Sequence, residues 1–255
     1  MKSLVRKIAN SRPGVDIRNF FGLKPVPFFI NNSIKNISIS DAFPWRTDNN
    51  FITTFKYADL LNLFYKNKDS YIELIFYSKN NELIKKLIIN ELNYSNELLI
   101  DKEFLDGLED FGVFYAFHRC DNFKLNNVVI SNRCYVGFSN QDNLTSFVHG
   151  NFHVQFKSFD GKLSGFDLGR SSFFQNIYRI QNSFREFSKS ELFFVNPTSK
   201  KIKFSIGNNK YKLNSRHSIL IDVTKKEDIS IISKCIFLRP IVFNYDGNFI
   251  DVHHA

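Results

Sequence analysis

Two of the six histidines stand on one short stretch, His149-Gly150-Asn151-Phe152-His153-Val154-Gln155. In an extended strand successive side chains alternate between faces. His149, Asn151, His153 and Gln155 therefore share one face, while Phe152, Val154 and Phe156 turn toward a core. Four polar groups in line suit hydroxyls, a carboxylate or a metal; the plain alternative is the solvated outer face of an antiparallel sheet. The C-terminal run Phe249-Ile250-Asp251-Val252-His253-His254 places Asp251 and His253 on one face, and two histidines with an aspartate are metal-ligand chemistry. His254, next to last, is given no weight. Arg119, Arg133 and Arg239 offer paired N–H groups that clamp an anion, unless each serves an ordinary cross-strand ion pair. His118 shares a face with Phe114 and Ala116, where a buried structural histidine fits as well as a ligand contact. His217 is assigned no role.

Motifs of known chemistry do not occur. The eleven glycines are scattered and form no phosphate-binding loop, and GxSxG, HExxH and zinc-finger spacings are missing. The single tryptophan, Trp45, stands beside Arg46 and Asp48; a lone tryptophan stacks on a sugar ring or, more commonly, anchors a loop to the core.

The elements that must position these groups are strands. Thirty phenylalanines, ten tyrosines and many isoleucines favour β structure. From about residue 37 short apolar runs recur between Asn, Asp, Gly and Ser clusters, the pattern of a many-stranded antiparallel protein. Strands are expected over 51–57, 71–77, 82–89, 97–100, 111–118, 134–138, 146–159, 162–167, 191–195, 201–206, 210–213, 218–222, 230–238, 240–245 and 248–253. Asp160-Gly161 and Asp246-Gly247 suit two-residue hairpin loops, and Asn80-Asn81 and Asn208-Asn209 suit the same task. ELIKKLIINEL (82–92) reads either as a helix or as a buried strand, and Asp101 is placed to cap one helical turn over 101–110.

A faint internal duplication organises the rest. YIELIFY, KNN, a strand and Leu99-Ile100-Asp101 are answered by KIKFSI, GNN, a strand and Leu220-Ile221-Asp222. Each copy goes on to an arginine followed by a Val-containing aromatic run, and ends in Val-His, at Val148-His149 and at Val252-His253. Whether Arg119 or Arg133 answers to Arg239 is open at this level. The expected fold is all-β: a basic N-terminal arm (1–37) and two tandem antiparallel β-sandwiches over 38–150 and 151–255.

The charge is unevenly spread. Lys2, Arg6, Lys7, Arg12, Arg18 and Lys24 against Asp16 alone account for more than half of the formal net charge of +9. The body is near balance, which makes nucleic acid an unlikely partner; the arm suits a membrane surface or a partner protein. No apolar run is long enough for a transmembrane helix. Three cysteines without a CxxC pair and no secretion signal point to a cytoplasmic protein.

The function expected is non-catalytic binding of a carbohydrate or small acidic ligand, linked to the assembly of a surface glycan. Its site combines Arg119, Arg133, His149, Asn151, His153, Arg239, Asp251 and His253, with no cofactor. One alternative is a metal-dependent enzyme holding a divalent transition metal on His149, His153 and His253. Another is a structural or assembly protein.

Overall fold

The structure is a computed structural model that describes residues 36–121, 128–131, 134–140, 144–158, 163–165, 175–180, 187–196, 201–223, 229–235 and 238–255, with a few positions between 4 and 17. The basic arm lies almost wholly outside the described residues. In chain order the elements are β1 (Asn36–Arg46), β2 (Phe51–Tyr57), helix α1 (Leu60–Tyr65), β3 (Ser70–Ser78), β4 (Leu83–Ile89), β5 (Asn96–Ile100), β6 (Phe111–Cys120), β7 (Val128–Ser131), β8 (Tyr135–Asn140) and β9 (Ser146–His149). They continue with β10 (Asn151–Ser158), β11 (Leu163–Gly165), β12 (Asn176–Arg179), β13 (Lys189–Val195), β14 (Ile202–Ile206), β15 (Asn209–Leu213), β16 (Ser218–Val223), β17 (Ser230–Ser233), β18 (Ile241–Asp246) and β19 (Phe249–His254).

The strands form four sheets. The first runs β11-β10-β1-β6-β3-β4, with β7 added parallel to β1; the second runs β5-β2-β8-β9, the third β16-β13-β18-β19 and the fourth β12-β17-β14-β15. The all-β class is as the sequence implies. Instead of two tandem sandwiches, the four sheets are arranged as the blades of a four-bladed propeller. The physical reason is that the third sheet is covered on both faces. Alternation along β13 sends Phe193 and Val195 into the larger core beside Phe43, Phe55 and Phe114. Leu192 and Phe194 turn into a smaller core with Ile202, Phe204 and Ile231 of the fourth sheet. The larger core thus draws on both sides of residue 150.

The connectivity repeats along the chain. The order β1-β6-β3-β4 reappears as β12-β17-β14-β15, and β5-β2-β8-β9 reappears as β16-β13-β18-β19. Each half of the chain supplies two sheets wired alike. β8 and β18 hold the same place, and Arg133 and Arg239 each stand two residues ahead of them. Arg133, not Arg119, is therefore the positional counterpart of Arg239.

Local sequence explains the finer features. β1 shifts register between Ser40 and Ala42 as it passes from β10 to β6. Where it leaves β6, the backbone N–H groups of Ala116 and His118 donate instead to the hydroxyls of Ser40 and Ser38, at 2.8 and 2.9 Å. That continues the ladder in a buried region where an unpaired amide would be costly. ELIKKLIINEL resolves as the strand β4, paired with β3. Asp101 caps a turn by accepting from the Phe104 N–H at 2.8 Å. The six-residue helix α1 was not anticipated; Asp59 caps it through the Asn62 N–H and also accepts from the Ser70 hydroxyl. Two hairpins turn one residue later than, or earlier than, expected: Gly247 and Gly207 adopt positive φ, at +58° and +54°, in the loops Gly247-Asn248 and Gly207-Asn208. Asp160-Gly161 lies outside the described residues.

Trp45 is a core residue, not a sugar platform. It is fully buried, and its Nε1–H donates to the Tyr77 carbonyl at 3.0 Å. Gly112 makes this possible: a Cβ there would sit 2.1 Å from the Tyr77 oxygen and 2.8 Å from the indole nitrogen.

The halves are fastened by an ionic cluster around Arg46, whose side chain is fully buried. It bonds Asp48 through Nε at 2.9 Å and Nη2 at 2.7 Å, and Glu191 through Nη1 at 2.6 Å. Its guanidinium lies 4.1 Å from the Phe51 ring centroid and 4.8 Å from that of Phe243. Glu191 also accepts from Lys189 at 2.7 Å and from the Tyr245 hydroxyl at 2.5 Å. Burial alone would raise the Glu191 pKa, but Arg46, Lys189 and Tyr245 bring it down to about 2.

Candidate functional site

β9 and β19 are the matching edge strands of the second and third sheets, and they meet. The Val252 N–H of β19 donates to the Ser146 hydroxyl of β9 at 2.8 Å. The inward residues Val148 and Val252 are buried on either side of this seam. His149 ends β9 and His253 nearly ends β19, so the meeting of the two edges carries both imidazoles to one region.

His149 is exposed and lies against the ring of Tyr135, its cross-strand neighbour, with centroids 4.3 Å apart. His253 is about one-third exposed, and its Nδ1 is 3.0 Å from Asp251 Oδ2. Asp251 in turn is within 3.4 Å of Asn244 Nδ2, and Asn244 is held by the Ser190 hydroxyl at 2.6 Å. This chain fixes the His253 ring with its other nitrogen directed away from the carboxylate.

Arg239 and His254 complete the group. Arg239 precedes β18, between the buried Leu238 and Pro240. His254 pairs in register with Ile241, and the following Ala255 N–H donates to the Pro240 carbonyl, so the two stretches lie side by side. Tyr178 reaches over and donates its hydroxyl to the Ala255 carbonyl. His254 turns to the inner side of β19. Burial first, and then the electrostatic influence of Arg239, His149 and His253, lower its pKa to about 4. It is a neutral imidazole at pH 7. Among the described residues, His254 Nδ1 and Arg239 Nε are buried and have no hydrogen-bond partner. Buried polar atoms are nearly always satisfied, and exceptions cluster where a ligand or water completes them.

The structure brings together His149, Arg239, Asp251 and His253 of the expected set, and adds His254 and Tyr135. Arg119 is placed elsewhere: it lies on β6 opposite Tyr71, mostly buried, 3.8 Å from Glu73. Its ion pair is the ordinary alternative the sequence allowed. Arg133 and the side chains of Asn151 and His153 lie outside the described residues. His118 is fully buried in the first sheet.

One carboxyl near the seam gave no sequence signal. Asp41 sits at the register shift of β1, opposite residues 152–154, and a Cβ on Gly150 would come within 2.6 Å of its own Cβ. Burial pushes its pKa up to about 7. For the metal reading, no three His, Cys, Asp or Glu side chains among the described residues converge as a metal would require. What the seam offers is one guanidinium, Arg239, and three imidazoles, His149, His253 and His254, with a buried unpartnered nitrogen on Arg239 and on His254 among the described residues, which is chemistry for holding an anion. No protein-family model matches the chain, and no curated protein shows significant similarity to it.

Proposed function

We propose that the protein is a non-catalytic binding protein and that the β9–β19 seam takes the carboxylate of a small acidic ligand, an acidic sugar being the best fit. One observation carries this reading: the Nε of Arg239 and the Nδ1 of His254 are both buried with no hydrogen-bond partner among the described residues, and Arg239 lies two residues before Ile241, the register partner of His254. An arginine N–H directed at a carboxylate satisfies both groups. His149 on Tyr135 supplies an exposed aromatic ledge suited to the apolar face of a sugar ring. The matching strand orders support a further part of the proposal, that the halves 38–150 and 151–255 descend from one duplicated unit. Three buried cysteines without disulfides favour a reducing compartment, in keeping with a cytoplasmic place in surface-glycan assembly.

The experiment is calorimetric titration with glucuronate and N-acetylneuraminate against their neutral counterparts. Binding confined to the acids is expected, with a loss of about ten- to a hundredfold in Arg239→Ala, the usual scale for a charge-assisted hydrogen bond. No heat with any acidic sugar, or equal affinity in the variant, removes the proposal.

A further inference from the structure

The strand pair β14–β15 carries a second pattern. In KIKFSIGNNKYKL, lysines at 201 and 203 alternate with Ile202 and Phe204, and lysines at 210 and 212 flank Tyr211. Alternation sends Ile202, Phe204 and Leu213 into the smaller core, so Lys203, Lys210 and Lys212 all stand on the outer face of the fourth sheet. Lys203 is directly opposite Lys212 in register, and Lys210 opposite Ser205. Like charges in facing positions destabilise a sheet. Elsewhere in the sheets lysines pair with acids, as Lys56 does with Glu97 and Lys85 with Asp106.

The face is concave. A cavity of about 770 Å³ is lined by Lys201, Lys203, Lys210, Lys212 and Lys234, and no Asp or Glu lines it among the described residues. That volume is within the range of small-molecule sites, on the order of 300–1,000 Å³. Charges of one sign gathered in a cleft focus the field and raise the local concentration of counter-ions.

We propose that this cavity binds a compact, multiply phosphorylated anion, free in solution. The four ammonium groups of Lys201, Lys203, Lys210 and Lys212 far exceed what a monocarboxylate requires. Among the described residues the lining has no arginine, whose planar fork selects a single carboxylate or phosphate; lysines act as point charges around several phosphate groups at once. Nucleic acid fits poorly because the aromatic residues among the described lining, Phe204 and Tyr211, are stacked on each other with centroids 5.3 Å apart and belong to the inner face of the hairpin rather than to the lysine face. The site shares no residue with the β9–β19 seam and stands independently of the function proposed there.

The test is titration of the full chain with sodium tripolyphosphate at two salt concentrations. The variants are Lys203→Gln with Lys212→Gln, a second pair Lys201→Gln with Lys210→Gln, and Arg239→Ala. Saturable binding that weakens steeply with salt is expected, falling at least tenfold in either lysine pair and unchanged in Arg239→Ala. Tripolyphosphate is also expected to raise the melting temperature of the wild type and not of the Lys203/Lys212 variant, which without ligand melts no lower than the wild type because a repulsive pair is gone. Absence of saturable binding overturns the proposal. So does affinity equal to that of the wild type in either lysine pair, or binding seen only with vesicles containing phosphatidylinositol bisphosphate and not with the soluble anion.

Discussion

Replacing Arg46 with methionine lowers the unfolding free energy by about 3–5 kcal/mol, the scale on which breaking a buried ion pair destabilises a protein. Methionine keeps most of the volume and the contact with Phe51 and Phe243, so the loss reports charge and hydrogen bonding. It strands Asp48 and Glu191, which now accept three bonds from the guanidinium. Urea denaturation measures it; a change under about 1 kcal/mol would mean that Lys189 and Tyr245 alone satisfy Glu191. The same cluster sets the response to acid. The folded-state pKa of Glu191 is about 2 against an ordinary 4.5. A carboxyl lowered in this way contributes its full stability above the unfolded value and loses it as pH falls through the folded value. Stability of the wild type therefore declines from about pH 4.5 toward pH 2, and Glu191→Gln, weaker at neutral pH, shows a shallower decline across that window.

Phe114→Ala is expected to cost a similar amount, about 3–5 kcal/mol, the usual range for deleting a buried phenyl ring. Phe114 touches Phe43, Phe55 and Phe76 at centroid distances of 5.4, 4.9 and 5.0 Å. It thus joins strands β1, β2 and β3, which belong to two different sheets. The surrounding rings are themselves held by further strands, so the space left behind cannot collapse readily and the cost stays high. Denaturant midpoints measure the loss. A destabilisation below about 1.5 kcal/mol would mean that the neighbouring rings refill the space, contrary to the packing described.

What the sequence made legible is local. Alternation placed Asp251 and His253 on one face of β19, and the paired Leu-Ile-Asp and Val-His fragments marked two stretches whose strand orders coincide. The single strand expected over 146–159 instead breaks at Gly150 into β9 and β10 of different sheets, so His149 does not share a strand face with Asn151 and His153. Turn residues located the hairpins to within one position. The rest depended on partners far away in the chain. Nothing near Arg46 announces Glu191, 145 residues on, so its burial was invisible and with it the joining of the halves into one core. His254 was given no weight because terminal residues are usually loose; the register with Ile241 holds it in place. Arg119 looked equivalent to Arg133 and Arg239 only as letters, since Glu73 on the adjacent strand was not identifiable as its neighbour. The lysines of β14 and β15 were each ordinary in the text and became unusual only when the hairpin set Lys203 facing Lys212.

The contact of β9 with β19 has a bearing on how the chain escapes self-association. An open sheet margin is a template on which foreign strands can assemble, and β9 and β19 are such margins at corresponding places in the two parts of the chain. Here the two margins occupy each other. Separated from its sibling, either half would be left with an unguarded border, so cohesion between the halves also keeps neighbouring molecules apart.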